Sequence, residues 1–206
     1  MERLPIPATK SNEIRIKEEL AIAKDGKDLL EQKKDILIGH INLLSDRADQ
    51  ARKRLDEVLS RAYDKLERAI LESGRASIEA AGLSVEAGME ITVRERSLMG
   101  VVLPLVSIKK PVIRPQFGLG GSTATMDEVR RIILSASDLI AEIAEVEIGL
   151  QRLMRETKRT LKRINALSYI YIPLYEATVK FIEQSLEEKE REGLFQLKRI
   201  KAMTRS

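Results

Sequence analysis

Cysteine and tryptophan are absent from this sequence, and aromatic residues make up only 3% of its 206 positions. The lack of cysteine excludes disulfide bonds and thiol chemistry, which is consistent with a reducing compartment. Residues 1–10 lack the apolar segment of a signal peptide, and no apolar run approaches the roughly 20 residues that span a bilayer. We therefore expect a water-soluble chain without a core of large aromatic rings.

Residues for catalysis are also scarce. His40 is the single histidine, and it lies beside an apolar helix position, where an ordinary, partly exposed side chain is expected. Without a His or Cys cluster there is no candidate metal site. The glycine-rich stretch at 118–121 lacks the following Lys-Ser/Thr pair of a phosphate-binding loop, so we interpret it as a connector. The sequence therefore predicts no catalytic residue, no metal and no cofactor.

Charged and aliphatic residues are abundant instead. Lys, Arg, Asp and Glu account for 33% of the chain, with 36 basic and 32 acidic residues interleaved along it. This composition is typical of long helices and coiled coils with solvated outer faces. Nucleic-acid binding is not favoured, because the basic residues are dispersed and few aromatic side chains are available for base stacking.

The first part of the chain has the repeat of a coiled coil. Thr9 or Ser11 can cap a helix that we predict to run to about Ala81. Alternating steps of three and four along it select 15 positions, of which 12 are apolar, and such a heptad predicts a left-handed supercoil. These positions are Leu20, Ala23, Lys27, Leu30, Lys34, Leu37, Ile41, Leu44, Ala48, Ala51, Leu55, Val58, Ala62, Lys65 and Ala69.

The last part of the chain repeats the pattern. Thr125 and Glu128 form a candidate capping box at the start of a second long helix. This helix continues through Pro173, although proline in a helix interior costs about 3 kcal/mol and clashes with the carbonyl four residues earlier. Its seam has 12 apolar residues in 16 positions: Ile132, Ala136, Leu139, Ile143, Val146, Leu150, Leu153, Thr157, Thr160, Ile164, Leu167, Tyr171, Leu174, Thr178, Phe181 and Ser185.

The middle of the chain breaks the helical period. Residues 89–93 alternate between apolar and polar, and residues 101–106 form a short apolar run. We predict a β-hairpin with its turn near Gly100, in which Pro104 confines its strand to an edge or a strand end. Prolines and glycines between 111 and 122 predict a loop that leads to the second helix.

These segments predict a mainly α fold. Two very long antiparallel helices form a left-handed coiled coil, with a small β-hairpin and loop region at the turn. The expected boundaries are 1–85 for the first helix, 86–124 for the hairpin and loop, and 125–206 for the second helix, all within one elongated unit.

The predicted register places Pro173 at a weak point of the seam. If the two seams pair end to end, facing residue numbers add to about 206, so that Pro173 lies near Lys33 and Lys34. The first seam also loses its apolar character in this region, at Lys27 and Lys34.

Two stretches of the sequence are similar to one protein family. They are "AIAKDGKDLLEQKKDIL" at 21–37 and "RINALSYIYIPLYEATVKFIEQSLEEKEREGLFQLKRIK" at 163–201; "RLPIPATK" at 3–10 and "MGVVLP" at 99–104 also match family segments. Over essentially its whole length the chain resembles the D subunit of the archaeal and vacuolar-type rotary ATPases. The block around Pro173 is the most specific part, and Ser168 departs from an acidic residue that is common in the family.

The resemblance implies a central stalk shaft rather than an enzyme. Such a shaft transmits torque between ATP hydrolysis or synthesis in a ring of catalytic A and regulatory B subunits and ion translocation through a membrane ring. Its implied partners are that ring, the small stalk F subunit, and the cup-like C subunit, which is a d-type adaptor to the membrane rotor ring. It implies no bound nucleotide, nucleic acid or membrane insertion, and a cytoplasmic location peripheral to the cell membrane.

The resemblance also points to two interfaces. One would face the ring from the second helix, and the other would contact the stalk partner from the hairpin, about residues 89–108. The ring-facing residues are expected to be Arg163, Asn165, Tyr169, Pro173, Lys180 and Lys198, and those of the stalk-partner interface Ile91, Val93, Val101, Leu103 and Val106. On this interpretation Pro173 bends or loosens the shaft within the ring, and the hairpin is a docking and regulatory element.

Two other interpretations are compatible with long paired helices. A prefoldin-like chaperone also joins antiparallel helices through β-hairpins, but its helices are usually shorter and it lacks the block from Asn165 to Pro173. A curved membrane-binding coiled coil would need a concentrated basic face, whereas the charges here are interleaved.

Overall fold

The computed structural model describes residues 3–84, 88–111 and 124–204. A π-helical turn, Leu167–Tyr171, connects the last two helices. The prediction of a mainly α fold with very long helices and one hairpin is confirmed, while most of the predicted loop lies outside the described residues. The helices are α1 (Lys10–Ser73), α2 (Arg75–Ser84), α3 (Ala124–Ala166) and α4 (Ile172–Thr204), and the strands are β1 (Glu90–Leu98) and β2 (Val101–Lys109).

The chain divides into two compact units. The first comprises Met1–Ile36 and Thr157–Ser206, and the second comprises Leu37–Glu156. Each unit contains part of α1 and part of the second long helical segment.

The second unit has a core that joins helices to the hairpin. Leu37, Leu44 and Ala48 of α1 cluster with Val146 and Leu153 of α3, and β2 contributes two further buried side chains. Ion pairs flank this core: Arg47 Nε lies 2.7 Å from Glu142 Oε1, and Lys65 Nζ lies 2.7 Å from Glu128 Oε2. Burial of the aliphatic side chains contributes most of the favourable free energy of folding in this core, because exposed ion pairs contribute only about 0–1 kcal/mol each.

The hairpin follows the predicted turn. Leu98 pairs with Val101, and the two residues between them have positive φ angles, 50° at Met99 and 81° at Gly100. Two successive positive φ values fit the type I′ turn that matches the twist of a hairpin. Pro104 lies within β2 of this two-stranded sheet, so its strand is an edge strand as expected.

The first unit pairs the start of α1 with α4. Ile16 and Ile182 are almost fully buried, and ion pairs join Lys17 to Glu183 at 2.6 Å and Lys24 to Glu176 at 2.7 Å. Residue numbers rise from Lys17 to Lys24 along α1 while those of their partners fall from Glu183 to Glu176 along α4, so the two helices are antiparallel in this unit.

The residues before α1 are fastened to α4. The Leu4 amide donates to Thr178 Oγ1 at 3.0 Å, and the Arg3 guanidinium lies 3.6 Å from the centroid of the Phe181 ring. Lys189 Nζ donates to the Ala8 carbonyl. Thr178 is fully buried and its hydroxyl also donates to Leu174 O, so this polar group is satisfied on both sides.

The predicted seams are largely confirmed by burial. No seam position of α1 between Leu20 and Ala69 is exposed, and the same holds for the second seam from Ile132 to Leu167. The second seam is wrong at Tyr171, which is exposed, and Ile182 rather than Phe181 is the fully buried residue further along. Beyond Leu167 the buried stripe therefore broadens by one residue toward the C-terminus, since Val179 and Ile182 are buried together with the predicted seam residue Thr178.

The π-turn explains both the broadened stripe and the tolerated proline. The Ile172 amide donates to the carbonyl of Leu167, five residues earlier instead of four. Such a turn accommodates one extra residue, which rotates the following stripe by one position. The wider turn also precedes Pro173, which has no amide hydrogen and would crowd the Tyr169 carbonyl in a regular α-helix.

The expected register is wrong. Residue numbers in the pairs Lys17–Glu183 and Lys24–Glu176 add to 200, which places residue 27 opposite Pro173 instead of Lys33 and Lys34. Pairing the seams end to end gives too large a sum of facing residue numbers, because the two ends of the chain are not level. Lys189 already contacts Ala8, and α4 continues beyond that point to Thr204. Of Lys27 and Lys34, only Lys27 lies near the level of the proline.

Helix ends differ from expectation at two places. Thr9 caps α1 as predicted, since its hydroxyl accepts the Asn12 amide, but α1 ends at Ser73 because Gly74 has a φ of 79°. The capping box is wrong: Thr125 lies inside α3, and its hydroxyl donates to Glu72 at 2.7 Å. Glu128 binds Lys65 of α1 instead.

Glu13 is a nearly buried carboxylate in the first turn of α1. Its side chain is 7% exposed, and its two oxygens accept hydrogen bonds from Lys10 Nζ at 2.8 Å and Lys17 Nζ at 2.7 Å. The hydrogen bond from Lys10, together with that from Lys17, lowers the pKa of Glu13 below its ordinary value. Lys17 also reaches Glu183, so Glu13 belongs to the charge network that links α1 to α4.

Replacement of this carboxylate should give a pH-dependent loss of stability. Glu13→Gln should lower the midpoint of thermal unfolding near neutral pH, because the ionised group is stabilised only in the folded chain. Because the pKa of Glu13 is lowered in the folded chain, its carboxylate stabilises the fold above the unfolded pKa of about 4.3, and this contribution is lost as the pH falls through the folded pKa. The difference from wild type should therefore shrink as the pH is lowered below about 4.3 and disappear once the folded carboxyl group is protonated. Circular dichroism melts across this range test it, with the exposed Glu18→Gln as control. A difference independent of pH would contradict the assignment.

Candidate interaction surfaces

An aromatic and aliphatic patch surrounds the π-turn. Tyr169 is 79% exposed, and Ile170, Tyr171 and Pro173 are also exposed. We call these four residues the π-turn patch. Exposed apolar side chains that form a contiguous patch mark an interaction surface more often than isolated exposed apolar side chains do. π-helical turns, moreover, occur frequently at functional sites.

All six residues predicted to face the ring are exposed. The structure does not bring them into one compact site, because Arg163 and Lys198 are separated by roughly 50 Å of helix at about 1.5 Å per residue. Tyr169 and Pro173 belong to the π-turn patch, with Asn165 about one turn before it and Lys180 about two turns after it. The predicted ring-facing set did not include Ile170 and Tyr171 of this patch. The heptad pattern had placed Tyr171 in the buried seam.

The residues predicted to contact a stalk partner fall into two groups. Ile91 and Val93 of β1 are 66% and 59% exposed, and Val106 is partly buried. Val101 and Leu103 are only 7% and 2% exposed and belong to the core of the second unit. Their assignment to a partner interface is therefore wrong, since they pack within this chain.

Two side chains of α3 hold the hairpin against the helices. Glu145 Oε2 accepts the Val106 amide at 3.2 Å, and Arg152 donates to the Val102 carbonyl at 2.8 Å. These bonds occupy the outer edge of β2 and hold that edge against α3. Neither residue stood out in the sequence, where both look like ordinary polar positions of a helix.

A largely apolar groove lies near the end of the second unit. It measures about 460 Å³ and is lined by residues of α1, α2, α3 and the segments flanking the hairpin. Ile78, Met126 and Val129 are among its aliphatic walls. It offers space for an apolar side chain of another molecule, and the sequence pattern did not indicate it because α2 was predicted as part of α1.

Metal sites and membrane-spanning helices were also sought among the described residues. Within the ranges 3–84, 88–111 and 124–204, no group of His, Asp or Glu residues is placed to hold a metal ion. In the same ranges, none of the helices combines the length and apolar character that crossing a membrane requires.

Comparison with known proteins gives the family. The family model that describes the D subunit of ATP synthase matches residues 12–202. The chain belongs to the family of ATP synthase D subunits. This confirms the family indicated by the segments around Lys27 and Pro173.

Individual relatives in this family match over nearly the full chain. A protein of Desulfurococcus sp. (strain SY) is 37% identical over 205 residues, which cover 98% of this chain and 96% of the relative. A protein of Thermococcus kodakarensis has the same identity and coverage. One of Haloquadratum walsbyi is 34% identical over 200 residues, covering 95% of this chain and 86% of the relative. Each is named as the D subunit of an A-type ATP synthase.

Proposed function

We propose that this chain is the central rotor shaft of an A-type or vacuolar-type ATP synthase. It transmits torque between ATP hydrolysis or synthesis in a ring of A and B subunits and ion translocation through a membrane ring. The observation that carries the proposal is membership of the ATP synthase D-subunit group across residues 12–202. As a non-catalytic subunit, it acts at the cytoplasmic side of the membrane without crossing it.

The helical pairing suits a part that carries mechanical load. In the first unit, α1 and α4 are joined by ion pairs and by buried Ile16 and Ile182. In the second unit, α1 and α3 share a continuous aliphatic core that also fixes the hairpin. Close-packed interiors have low compressibility and transmit strain, as a shaft requires.

The two exposed surfaces are the proposed contacts with other subunits. The π-turn patch, together with Arg163, Asn165, Lys180 and Lys198, faces the ring, and the exposed part of β1 faces the small stalk F subunit. The cup-like C subunit is the further proposed partner at the membrane side. An asymmetric surface can bias chemically identical ring sites into different states, because each conformation meets different contacts.

The proposal predicts a coupling defect in Pro173→Ala. If the π-turn patch makes a directional contact with the ring, removing the proline ring should lower ATP turnover coupled to ion transport in the reconstituted complex. The measurement compares ATP hydrolysis and ion pumping for complexes containing wild-type or variant chain, with Lys158→Arg as the control, because Lys158 is exposed and lies outside the proposed interfaces. Unchanged turnover and coupling would remove the role of Pro173.

Reconstitution tests the function itself. The wild-type chain should insert into a ring of A and B subunits and restore coupled turnover that the ring alone lacks. Failure of the wild-type chain to associate with the ring would overturn the shaft assignment, whatever the behaviour of the Pro173 variant.

A further inference from the structure

The first unit contains a stretch of paired helices in which no side chain is buried. Residues 24–36 of α1 and residues 165–177 of the second helical segment, which the structure describes throughout, are at most partly buried. Lys24 pairs with Glu176 at 2.7 Å, so the antiparallel helices place these two ranges side by side. We call the two ranges together the core gap.

Two heptad positions of α1 in the core gap are lysines. Lys27 Nζ lies 3.7 Å from Glu31 Oε1. Lys34 Nζ lies 3.1 Å from Asp35 Oδ1, so both of these pairs stay within α1 and do not join the two helices. A polar residue in a coiled-coil seam lowers stability relative to an apolar one. The helices are therefore held together less firmly here than at the fully buried Ile182.

The backbone of both helices is weakened at the same level of the core gap. On one helix, the π-turn Leu167–Tyr171 is followed by Pro173, which has no amide hydrogen to donate. On the other, the ion pair of Lys24 places Gly26 opposite residue 174. A Cβ atom on Gly26 would have no packing neighbour within 4 Å, so packing does not require the glycine. Glycine nevertheless stabilises a helix less than alanine does.

We propose that the core gap is a hinge within the first unit, whose two ranges open together as one cooperative unit while the buried residues at its borders stay packed. Few buried apolar side chains and weakened backbone hydrogen bonding both lower the free energy of local opening. The two ranges are coupled because each helix covers the seam of the other, so that opening one exposes both. Bending of the proposed shaft concentrates at this hinge, and that consequence alone rests on the proposed function.

Amide hydrogen exchange of the full-length chain measures local opening. In the wild-type chain, the amides of residues 28–32 and 174–177 should exchange roughly tenfold faster, relative to their intrinsic rates, than those of residues 17–22 and 180–184 in the same unit. The last two ranges surround buried residues, so their amides are expected to exchange only through larger openings.

Gly26→Ala tests the coupling between the two helices. The substitution favours the closed helix at position 26, and should therefore slow exchange about fivefold in residues 28–32 and equally in residues 174–177 across the gap. Gly39→Ala is the matched control, since Gly39 also lies within α1 and a Cβ atom there has no packing neighbour within 4 Å. The control gains the same helix propensity outside the core gap, and should leave exchange at 174–177 within about twofold of wild type.

The outcomes separate the hinge from the proposed function. Exchange at 174–177 as slow as at 180–184 in the wild-type chain would overturn the hinge. So would a Gly26→Ala effect confined to residues 28–32, or an equal effect of Gly39→Ala at 174–177, because the two helices then do not open together. These measurements use the chain alone, so a negative result leaves the shaft assignment standing, and failure of the chain to associate with the ring leaves the hinge standing.

Discussion

Leu153→Ala should lower the free energy of unfolding by about 2–5 kcal/mol. Leu153 is fully buried in the second unit, where it packs in one cluster with Leu37 and Val146. Truncation removes apolar surface from the core and leaves a cavity that surrounding helices fill only partly. The loss should be large because this cluster also anchors Val101 and Leu103 of the hairpin.

Urea unfolding followed by circular dichroism measures this effect. Leu161→Ala is the matched control, since Leu161 lies on the same helix but is exposed, and alanine has a good helix propensity. The control should differ from wild type by less than about 1 kcal/mol. Equal effects of the two substitutions would show that the cluster around Leu153 does not form the principal core.

Deleting Ile170 should cost about 3 kcal/mol while Pro173 is present and much less in a Pro173→Ala background. The deletion removes the extra residue of the π-turn and leaves a regular helix, in which the proline crowds a carbonyl four residues earlier. Replacing the proline removes that conflict, so the two changes together should retain the packing of Ile164 before the turn and of Ile182 after it.

A double-mutant cycle in urea measures the coupling between these two changes. Deletion of Lys180 is the control, because Lys180 lies in the regular part of α4 and its loss moves the next buried residues out of phase. Pro173→Ala should not rescue that control. Equal costs for the Ile170 deletion with and without Pro173 would contradict the link between the proline and the π-turn.

The amino-acid sequence by itself determined the helical segments, their buried stripes and the hairpin. Heptad spacing indicated the seam positions correctly from Leu20 to Ala69 and from Ile132 to Leu167, because burial in paired helices follows directly from periodicity. Gly100 and the alternating residues of β1 likewise located the turn, since few residues other than glycine adopt positive φ easily. The residues that carry the family resemblance are equally a property of the sequence.

The tertiary structure decided which of two chemically similar residues is buried. Leu103 and Val93 both looked like exposed hairpin residues, yet only Leu103 packs in the core, because Glu145 and Arg152 fix β2 against α3. Thr125 likewise looked like a cap but binds Glu72 of the neighbouring helix.

The register and the phase of the seam also depended on contacts between distant segments. A heptad repeat is satisfied by many alignments of two helices, so the periodicity alone could not choose the one with Lys24 beside Glu176. Heptad spacing continued from α3 likewise gives no sign of the extra residue in the π-turn. It becomes evident only from the burial of Ile182 after the turn, because tertiary packing selects among backbone forms that differ little in local energy.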